Sequence, residues 1–285
     1  MDVSFIVPNY NGMRTLKKCL DSLLNQNYPK NKFEIIVIDD CSKNNDLEFL
    51  KTYSKSGKIR LIENERNLKF VKTTNRGIKA SKGKFVALIN NDIVLEKDWL
   101  KKMMDKINTK INIGIVGCKI LYPNSKKVWF GGAKVYFPGF VKHLNLGKEK
   151  EVDYVAFSAA LIRKSALNGQ KLDEKLIMYW EDSILCKSVK KKGFRIVYYP
   201  NAVAYHYIDE KRISANEEFF IQRNRGYYYT KYYSFSGKTI YIIADLIFFF
   251  PLFGLYRILT NPKRVYFLKE IFKARLSSVK LMIDK

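Results

Sequence analysis

The sequence predicts an α/β fold with a doubly wound sheet that is mixed but mostly parallel. Short apolar runs of strand length alternate with segments that are apolar at helical spacing. The run at 85–89 shows the pattern best, because Asn90, Asn91 and Asp92 follow it directly. Ligands of open α/β sheets bind at the carboxyl ends of the strands, although Asn and Asp are also common turn residues.

The first half of the chain repeats this alternation. Further buried strands are predicted at 3–7, 33–38 and 59–63. Helices are predicted at 15–24, within the polar stretch 43–56, and at 75–81 before Gly83. Polar residues also follow the first two strands, so three loops should converge on one edge of the sheet.

The second half is organised differently. Short strands are predicted at 114–117, 128–130 and 135–137, followed by a longer apolar run at 152–163. An aromatic loop from Leu176 leads into a helix that ends near Gly193, and two more strands are predicted at 194–199 and 202–206. We therefore expect an α/β domain at 1–210, with halves at about 1–112 and 113–210, and a separate C-terminal region at 211–285.

The chain is strongly basic, with 52 Lys and Arg against 27 Asp and Glu, a net charge of +25. This balance indicates an anionic partner, namely a nucleoside diphosphate, an anionic membrane surface or nucleic acid, although a Lys-, Asn- and Ile-rich genome would also produce it. Four widely separated cysteines without a CxxC pair favour a reduced, cytosolic protein. No signal peptide is expected, because the chain enters a strand directly after Met1-Asp2.

The C-terminal region has a membrane-like composition. The segment 240–259 is nearly apolar and just long enough to span a bilayer, but Asp245 and Pro251 argue against a simple span. The segment 265–283 is predicted to be a basic amphipathic helix. We expect this tail to lie at the membrane interface. Packing against protein and a true span remain open alternatives.

Four motifs, in order, resemble family 2 glycosyltransferases of the GT-A fold. They are SFIVPNYNG at 4–12, VIDDCS at 37–42, LINND at 88–92, and MYWEDSILC at 178–186 followed by GFRIVYYPNAVAYH at 193–206. The resemblance covers residues 3 to about 225 and is greatest to cell-surface polysaccharide and rhamnosyl-type transferases. It implies a GT-A catalytic domain at 1–210, with a nucleotide-binding half and then an acceptor-binding half, and a helical C-terminal appendage.

The resemblance also implies an activity. The expected reaction is an inverting, metal-dependent transfer of one sugar from a UDP- or dTDP-sugar to a hydroxyl of a glycan or lipid-linked acceptor. Processive synthases carry a QxxRW motif, and the corresponding segment here, Gln222-Arg223-Asn224-Arg225, is not followed by the Trp of that motif. Transfer of a single sugar is therefore expected. The expected location is the inner face of the cell membrane, as a peripheral cytoplasmic protein. Donor sugar, acceptor, pathway and oligomeric state stay open.

Site residues are carried over from the matched motifs. Asp182 is the expected general base, with Glu181 beside it as a second catalytic carboxylate. Mn²⁺ or Mg²⁺ is expected on Asp92, Asn90 and His206, and the acceptor on Trp180 and Tyr179. The donor nucleotide is expected to contact Pro8, Tyr10, Asn11, Asp39, Asp40, Ser42, Asn75, Asn90, Asn91 and Arg223.

Chemistry explains these residue types. A departing diphosphate needs a cation and basic groups, and an acceptor hydroxyl needs a carboxylate base. Each residue also has an ordinary structural alternative. The acidic pair suits a helix N-terminus, a lone Trp or His is often structural, and Arg223 and Arg225 could simply cover a helix face.

Some positions depart from the family pattern. Asn90 replaces the first carboxylate of the usual DxD motif, which should weaken metal binding. Lys69 stands where relatives often have Gly, Ile184 where they have Asp, and Ser158 where Gly is usual. These changes leave the sugar and acceptor preference in doubt.

Two other protein classes compete with this interpretation. A sugar-nucleotide pyrophosphorylase would need a Gly-rich loop bearing Arg and Lys near the N-terminus, and PNYNG does not supply one. A non-catalytic membrane- or nucleic-acid-binding protein would explain the charge. It would leave Asp39, Asp92 and Asp182 without a purpose, and no nucleic-acid-binding motif is found.

Overall fold

The computed structural model describes residues 1–137, 140–145, 147–208, 214–245, 247 and 266–283. The chain divides into two compact units. The first comprises Met1–Lys134, His143–Ile177 and Glu181–Asp209, and the second comprises Val135–Lys142, Met178–Trp180 and Glu210–Lys285. The predicted α/β fold, with a mixed sheet and helices at the C-terminus, is confirmed.

The strands, in chain order, are β1 (Val3–Asn9), β2 (Phe33–Asp39), β3 (Arg60–Glu63), β4 (Phe85–Ile89), β5 (Ile93–Leu95), β6 (Ile113–Leu121), β7 (Val128–Phe130), β8 (Ala133–Tyr136), β9 (Phe140–His143), β10 (Lys150–Glu151), β11 (Ala159–Arg163) and β12 (Arg195–His206). The helices are α1 (Met13–Leu24), α2 (Asp46–Lys55), α3 (Lys69–Ala80), α4 (Trp99–Asn108), α5 (Lys164–Leu167), α6 (Glu181–Lys191), α7 (Ala215–Tyr232), α8 (Phe235–Ala244) and α9 (Tyr266–Ile283).

The first unit is built on one mixed sheet with the order β10-β12-β6-β11-β4-β1-β2-β3. The strands β4, β1, β2 and β3 run parallel, and β11 is antiparallel to both β4 and β6. The carboxyl ends of β1, β2 and β4 therefore share one edge, as the sequence predicted. The register places Asn9 opposite Asp39 at that edge.

Helix α3 packs closely on the sheet. Gly77 makes this possible, because a Cβ there would lie 2.4 Å from Ile6 Cγ2 and 2.6 Å from Ile38 Cδ1. The helix begins at Lys69, earlier than the predicted start at Asn75. The physical reason is a distant residue, since Asp40 accepts hydrogen bonds from the first backbone N–H groups of the helix.

The last strand of the first unit also differs from the prediction. Two short strands were expected around Pro200, but β12 is continuous from Arg195 to His206. Its pairing with β6 shifts register between Tyr199 and Val203. That irregularity accommodates Pro200, which has no N–H to donate to the sheet.

The second unit contains the helices α7, α8 and α9 and those parts of β8 and β9 that lie within Val135–Lys142. Gly226 of α7 faces Ser278 of α9, and a Cβ at Gly226 would lie 2.7 Å from Ser278 Cβ. The helix predicted at 265–283 is present as α9. Of the predicted apolar segment 240–259, the residues 246 and 248–259 lie outside the described part of the chain, and these include Phe248, Phe249, Phe250 and Pro251. Among the described helices, none is both long and apolar enough to cross a bilayer.

A buried ionic cluster holds these helices together. Asp245 is 5% exposed, and its Oδ1 accepts hydrogen bonds from Arg225 Nη2 at 2.7 Å and Arg275 Nη2 at 3.0 Å. Arg275 Nε donates to the other oxygen, Oδ2. One carboxylate at the end of α8 thus links α7 to α9.

We expect Asp245→Ala to destabilise the second unit by about 3 kcal/mol. The substitution removes the carboxylate that both guanidinium groups share and leaves their positive charges facing each other. Hydrogen exchange of amides in 215–244 and 266–283 measures the effect. The matched control is Glu270→Gln, which removes the more exposed ion pair with Lys273 and should cost less than about 1 kcal/mol. Equal protection in both variants would contradict the prediction.

Candidate active site

The side chain of Asn9 joins the loops that follow β1, β2 and β4. Its Nδ2 donates hydrogen bonds to Asp39 Oδ1 at 3.0 Å and to Asp46 Oδ2 at 2.9 Å. Its Oδ1 accepts a hydrogen bond from Asn91 Nδ2 at 2.7 Å. Asn9 is 1% exposed, so these bonds satisfy an amide that is otherwise shielded from water.

Asp39 is held by the loop that follows it. Ser42 Oγ donates to Asp39 Oδ1 at 2.6 Å, and Ser42 N donates to Asp39 Oδ2 at 3.0 Å. Ser42 Oγ also accepts from Asn11 N at 3.0 Å, and Asn11 Oδ1 accepts from Lys43 N at 2.8 Å. The loops after β1 and β2 are thereby fixed to one another. An ionised carboxylate has about four acceptor positions, so Asp39 keeps capacity for a ligand.

Two other predicted nucleotide contacts lie at the end of β1. Pro8 is the next-to-last residue of the strand and is half-buried, and Tyr10 directly after the strand is 44% exposed. The exposed ring is available to a planar partner.

Asp40 faces away from Asp39 and serves α3. Its Oδ1 accepts from Asn64 Nδ2 at 2.6 Å and from Leu68 N at 2.7 Å, and its Oδ2 accepts from Lys69 N at 2.9 Å. Lys69 has φ 68°, in the left-handed region. This geometry explains why glycine would be favourable there.

Asn75 is engaged on the far side of α3. Its Nδ2 donates to Leu172 O at 2.9 Å and to Glu174 Oε1 at 3.1 Å, and its Oδ1 accepts from Leu172 N at 2.9 Å. The structure therefore does not bring Asn75 together with Asp39 and Asn91. Its amide ties α3 to the loop at 172–174.

Strand pairing brings His206 beside Asp92. The antiparallel pair β5–β12 places His206 opposite Ile93, and Tyr207 N donates to Asp92 O at 2.8 Å. His206 Nε2 lies 3.2 Å from Asp92 Oδ1. The ring of Trp129 meets the imidazole edge-on at 4.2 Å between centroids. The imidazole is thus fixed between an aromatic ring and a carboxylate.

This corner contains polar atoms without hydrogen-bond partners. Among the described residues, Asn90 Oδ1, Asp92 Oδ1 and His206 Nδ1 are buried without one, and the 3.2 Å approach of His206 to Asp92 lacks hydrogen-bond alignment. Such orphaned acceptors are uncommon in folded proteins and suit an absent ion or water. One carboxylate, one amide oxygen and one imidazole fit Mn²⁺ or Mg²⁺, which usually takes few protein ligands and completes its shell with phosphate oxygens. The described residues contain no group of three His, Cys, Asp or Glu side chains that would hold a metal alone.

Glu181 and Asp182 begin α6. Asp182 Oδ1 accepts from Ser183 N at 2.6 Å, and Glu181 Oε2 is buried without a partner among the described residues. Burial raises the pKa of the Asp182 carboxyl. Burial and the neighbouring Asp182 charge raise the pKa of Glu181. Both carboxyl groups of the pair are therefore more basic than an ordinary carboxyl group.

The predicted acceptor residues belong to the second unit. Tyr179 and Trp180 have φ of 66° and 69°, an unfavourable region for large side chains. Tyr179 Oη donates to Glu217 Oε1 at 2.6 Å, and the Trp180 ring lies 5.3 Å from that of Tyr228. Asn224 Nδ2 donates to the carbonyl oxygens of Met178 at 2.7 Å and Tyr179 at 3.0 Å. Contacts with α7 thus support this strained turn.

Arg223 also lies in the second unit, on α7. It is 8% exposed, and its guanidinium carbon lies 5.9 Å from the centre of the Phe220 ring. Burial lowers its pKa.

Sequence reasoning missed three residues that organise these sites. Asn9 and Asp46 connect the strand-end loops, and Asn224 supports the turn before Glu181. Asn9 stands within the first motif at the end of a buried strand, which is the signal that could have identified it. Asp46 and Asn224 act on partners distant in sequence, so no local pattern marks them.

Known proteins resemble both the sequence and the fold. The profile of "Glycosyl transferase family 2" matches residues 4–169, more than half of the chain. The poly(ribitol-phosphate) β-N-acetylglucosaminyltransferase TarS of Staphylococcus aureus is 33% identical over 102 residues, which are 35% of this chain and 18% of that protein. The chain thus matches about a fifth of the length of that curated relative.

Two solved structures show the likeness in fold. The structure of TarS 1-349 of S. aureus in complex with UDP-GlcNAc superposes with a TM-score of 0.64 at 19% sequence identity. The alignment covers 99% of this chain and 89% of the TarS chain. The structure of the mannosyltransferase PcManGT from Pyrobaculum calidifontis in complex with GDP-Man and Mn²⁺ superposes with a TM-score of 0.63 at 13% sequence identity. The alignment covers 97% of this chain and 86% of the PcManGT chain. The GT-A fold expected from the motifs is confirmed, and the chain belongs to glycosyl transferase family 2.

Proposed function

We propose that the protein transfers a single sugar, with inversion, from a nucleoside-diphosphate sugar to a hydroxyl of a glycan or lipid-linked acceptor. The main support for the proposal is the set of hydrogen bonds made by the Asn9 side chain, which joins Asp39 to Asn91 at one edge of the sheet. Family membership supports transfer over a sugar-nucleotide pyrophosphorylase. The name of the S. aureus relative, a poly(ribitol-phosphate) β-N-acetylglucosaminyltransferase, supports a polymeric acceptor.

The nucleotide is proposed to lie against the loops after β1 and β2. Asp39 would accept a hydrogen bond from a pyrimidine N–H at the acceptor position of Oδ2 that Ser42 leaves open, and Pro8 with the exposed Tyr10 ring would enclose the base. Asn11 and Ser42 hold these loops in place, and Asp40 fixes the start of α3. UDP is the expected carrier, with dTDP as the alternative.

The diphosphate is proposed to lie at Asn90, Asp92 and His206. These residues would hold Mn²⁺ or Mg²⁺, which neutralises the negative charge of a departing diphosphate. Two orphaned oxygens beside an imidazole support this assignment.

Asp182 is proposed to act as the general base. The acceptor oxygen forms a bond to the anomeric carbon while the bond from that carbon to the diphosphate oxygen breaks. The bonding electron pair leaves with the nucleoside diphosphate, and the hydroxyl proton passes to the Asp182 carboxylate. A single displacement of this kind inverts the anomeric centre, and the raised pKa of Asp182 supports a base that is effective near neutral pH.

Membrane attachment is proposed for the second unit. Phe272 and Leu276 of α9 are 54% and 58% exposed, and Lys269 and Lys273 lie on the same face of that helix. From Lys211 onward the chain carries 14 Lys and Arg against 5 Asp and Glu, so +9. An apolar face flanked by lysines complements an anionic lipid surface, and a lipid-linked acceptor would lie there.

We expect Asp182→Asn to reduce donor turnover by about 100-fold or more, because it removes the base, while UDP affinity stays within about twofold. Release of UDP from UDP-GlcNAc and calorimetric titration of UDP measure the two quantities. Asp105→Asn, an exposed carboxylate on α4, is the matched control. Turnover above about a tenth of wild type would exclude Asp182 as the base.

The pH profile offers a second readout of the same residue. A base works only when ionised, so kcat should fall as pH decreases through the pKa of Asp182. Burial raises that pKa, so the acid limb should lie above the ordinary Asp value of about 4. An acid limb at or below that value would contradict the assignment.

We expect Asp92→Ala to abolish the metal-dependent part of UDP affinity, because it removes the negative ligand of the proposed cation site. Calorimetry of UDP with and without Mn²⁺ measures the difference, and Asp105→Ala is the control. Equal UDP affinity with and without Mn²⁺ in the wild type would overturn the metal assignment.

We expect Phe272→Gln together with Leu276→Gln to reduce co-sedimentation with anionic liposomes at least several-fold, because exposed apolar contacts are lost. High salt should also weaken wild-type binding. Substitution is preferable to truncation of the C-terminal region, because truncation would delete Asp245 and leave Arg225 without this ion pair. Ile111→Gln, which alters an exposed residue of the first unit, should bind like wild type. If wild type does not sediment, the face is a protein contact instead.

A further inference from the structure

The first unit contains a cleft of about 530 Å³ that none of the proposed catalytic or metal-binding residues lines. It runs along α3 and is closed on the other side by α5 and the loop that follows. Its lining residues are Leu68, Lys72, Asn75, Arg76, Ile78, Lys79, Lys164, Leu167, Gly169, Gln170, Lys171 and Glu174. The volume is within the range of ligand-binding clefts.

The residues proposed to contact the nucleotide base and the metal, namely Pro8, Tyr10, Asp39, Asn90, Asp92 and His206, are not among the residues that line the cleft. The start of α3 is bound to Asp40, but the cleft continues along the helix to Lys79. Asn75 lines the cleft, and its amide is bound to Leu172 and Glu174. The cleft wall is therefore fixed by hydrogen bonds.

Positive charge is concentrated in this cleft. Five of its twelve lining residues are Lys or Arg, against 52 of 285 in the whole chain. Lys72, Arg76 and Lys79 are four and three residues apart on α3 and so share one face of the helix. Lys164 and Lys171 add their charge from the other side.

Contacts among the residues that the structure describes leave most of this charge uncompensated. Arg76 donates to Glu63 O and to the Asn64 side-chain amide, and Lys164 Nζ donates to Ser81 O at 2.7 Å, and all these acceptors are neutral. Glu174 is the single carboxylate among the lining residues, and its Oε1 lies 2.9 Å from Lys171 Nζ. Five cations and one carboxylate leave a net charge of +4 in a concave site, which concentrates the positive potential.

We propose that this cleft binds a ligand that carries at least two phosphate groups, at a site distinct from the donor nucleotide. Seven residues of helix separate Lys72 from Lys79, which is about 10 Å along the axis. A single phosphate would contact only one end of the row formed by Lys72, Arg76 and Lys79. A chain of phosphates would contact all three side chains. Such a ligand is either a discrete oligophosphate compound or a stretch of a phosphate-linked polymer.

The test uses two probes, inorganic tripolyphosphate and long-chain polyphosphate. Each is titrated calorimetrically into the full-length protein saturated with UDP and without divalent cation, so that the donor site is occupied. The variant is Lys72→Gln with Lys79→Gln. The matched control is Lys101→Gln with Lys110→Gln, which removes the same charge from exposed positions on and after α4.

We expect the cleft variant to weaken binding at least tenfold, and the control to change it less than twofold. Comparable binding of both probes indicates a discrete oligophosphate, and binding of polyphosphate alone indicates a polymer. Absence of binding in the wild type, or equal weakening in both double variants, would overturn the proposal. Titration of UDP into the same proteins tests the donor site separately, so either proposal can fail without the other.

Discussion

The side-chain amide of Asn9 is the interaction on which the candidate site depends. It is buried, and its hydrogen bonds go to Asp39, Asp46 and Asn91. Asp39 and Asp46 lie at and after the end of β2, Asn91 follows β4, and Asn9 itself ends β1, so one amide sets the relative position of three loops. A buried amide that lost a partner would carry the desolvation cost of an unsatisfied group, and the network is therefore favourable only when all three loops are in place.

The two halves of this site are prepared differently. On the nucleotide side, Asp39 and Ser42 are bound to neighbouring protein groups before any ligand arrives. On the metal side, Asn90 and Asp92 keep buried oxygens that receive no hydrogen bond from the described part of the chain, and His206 lies against Asp92. The protein thus organises the base-binding loops itself and leaves the polar atoms beside the proposed diphosphate to be satisfied by ligands.

The second unit separates charge from apolar surface in an unusual way. Its buried interior contains the carboxylate of Asp245 between two arginines, while Phe272 and Leu276 remain exposed. The carboxylate that argued against a membrane span therefore has a structural role in the helical packing. The exposed apolar face remains the part of the unit to which a lipid surface is proposed to bind.

The sequence by itself determined the parallel strands β1, β2, β3 and β4 and the polar residues that follow β1, β2 and β4, because a buried strand that stops at Asn or Asp is a local pattern. It determined the family through motifs that are continuous in the chain. It could not show that Asn75 faces the loop at 172–174, or that α3 begins at Lys69, because both depend on partners dozens of residues away. The pairing of β5 with β12, which brings His206 to Asp92, was decided only by the tertiary structure, since long-range strand register leaves no trace in the local sequence.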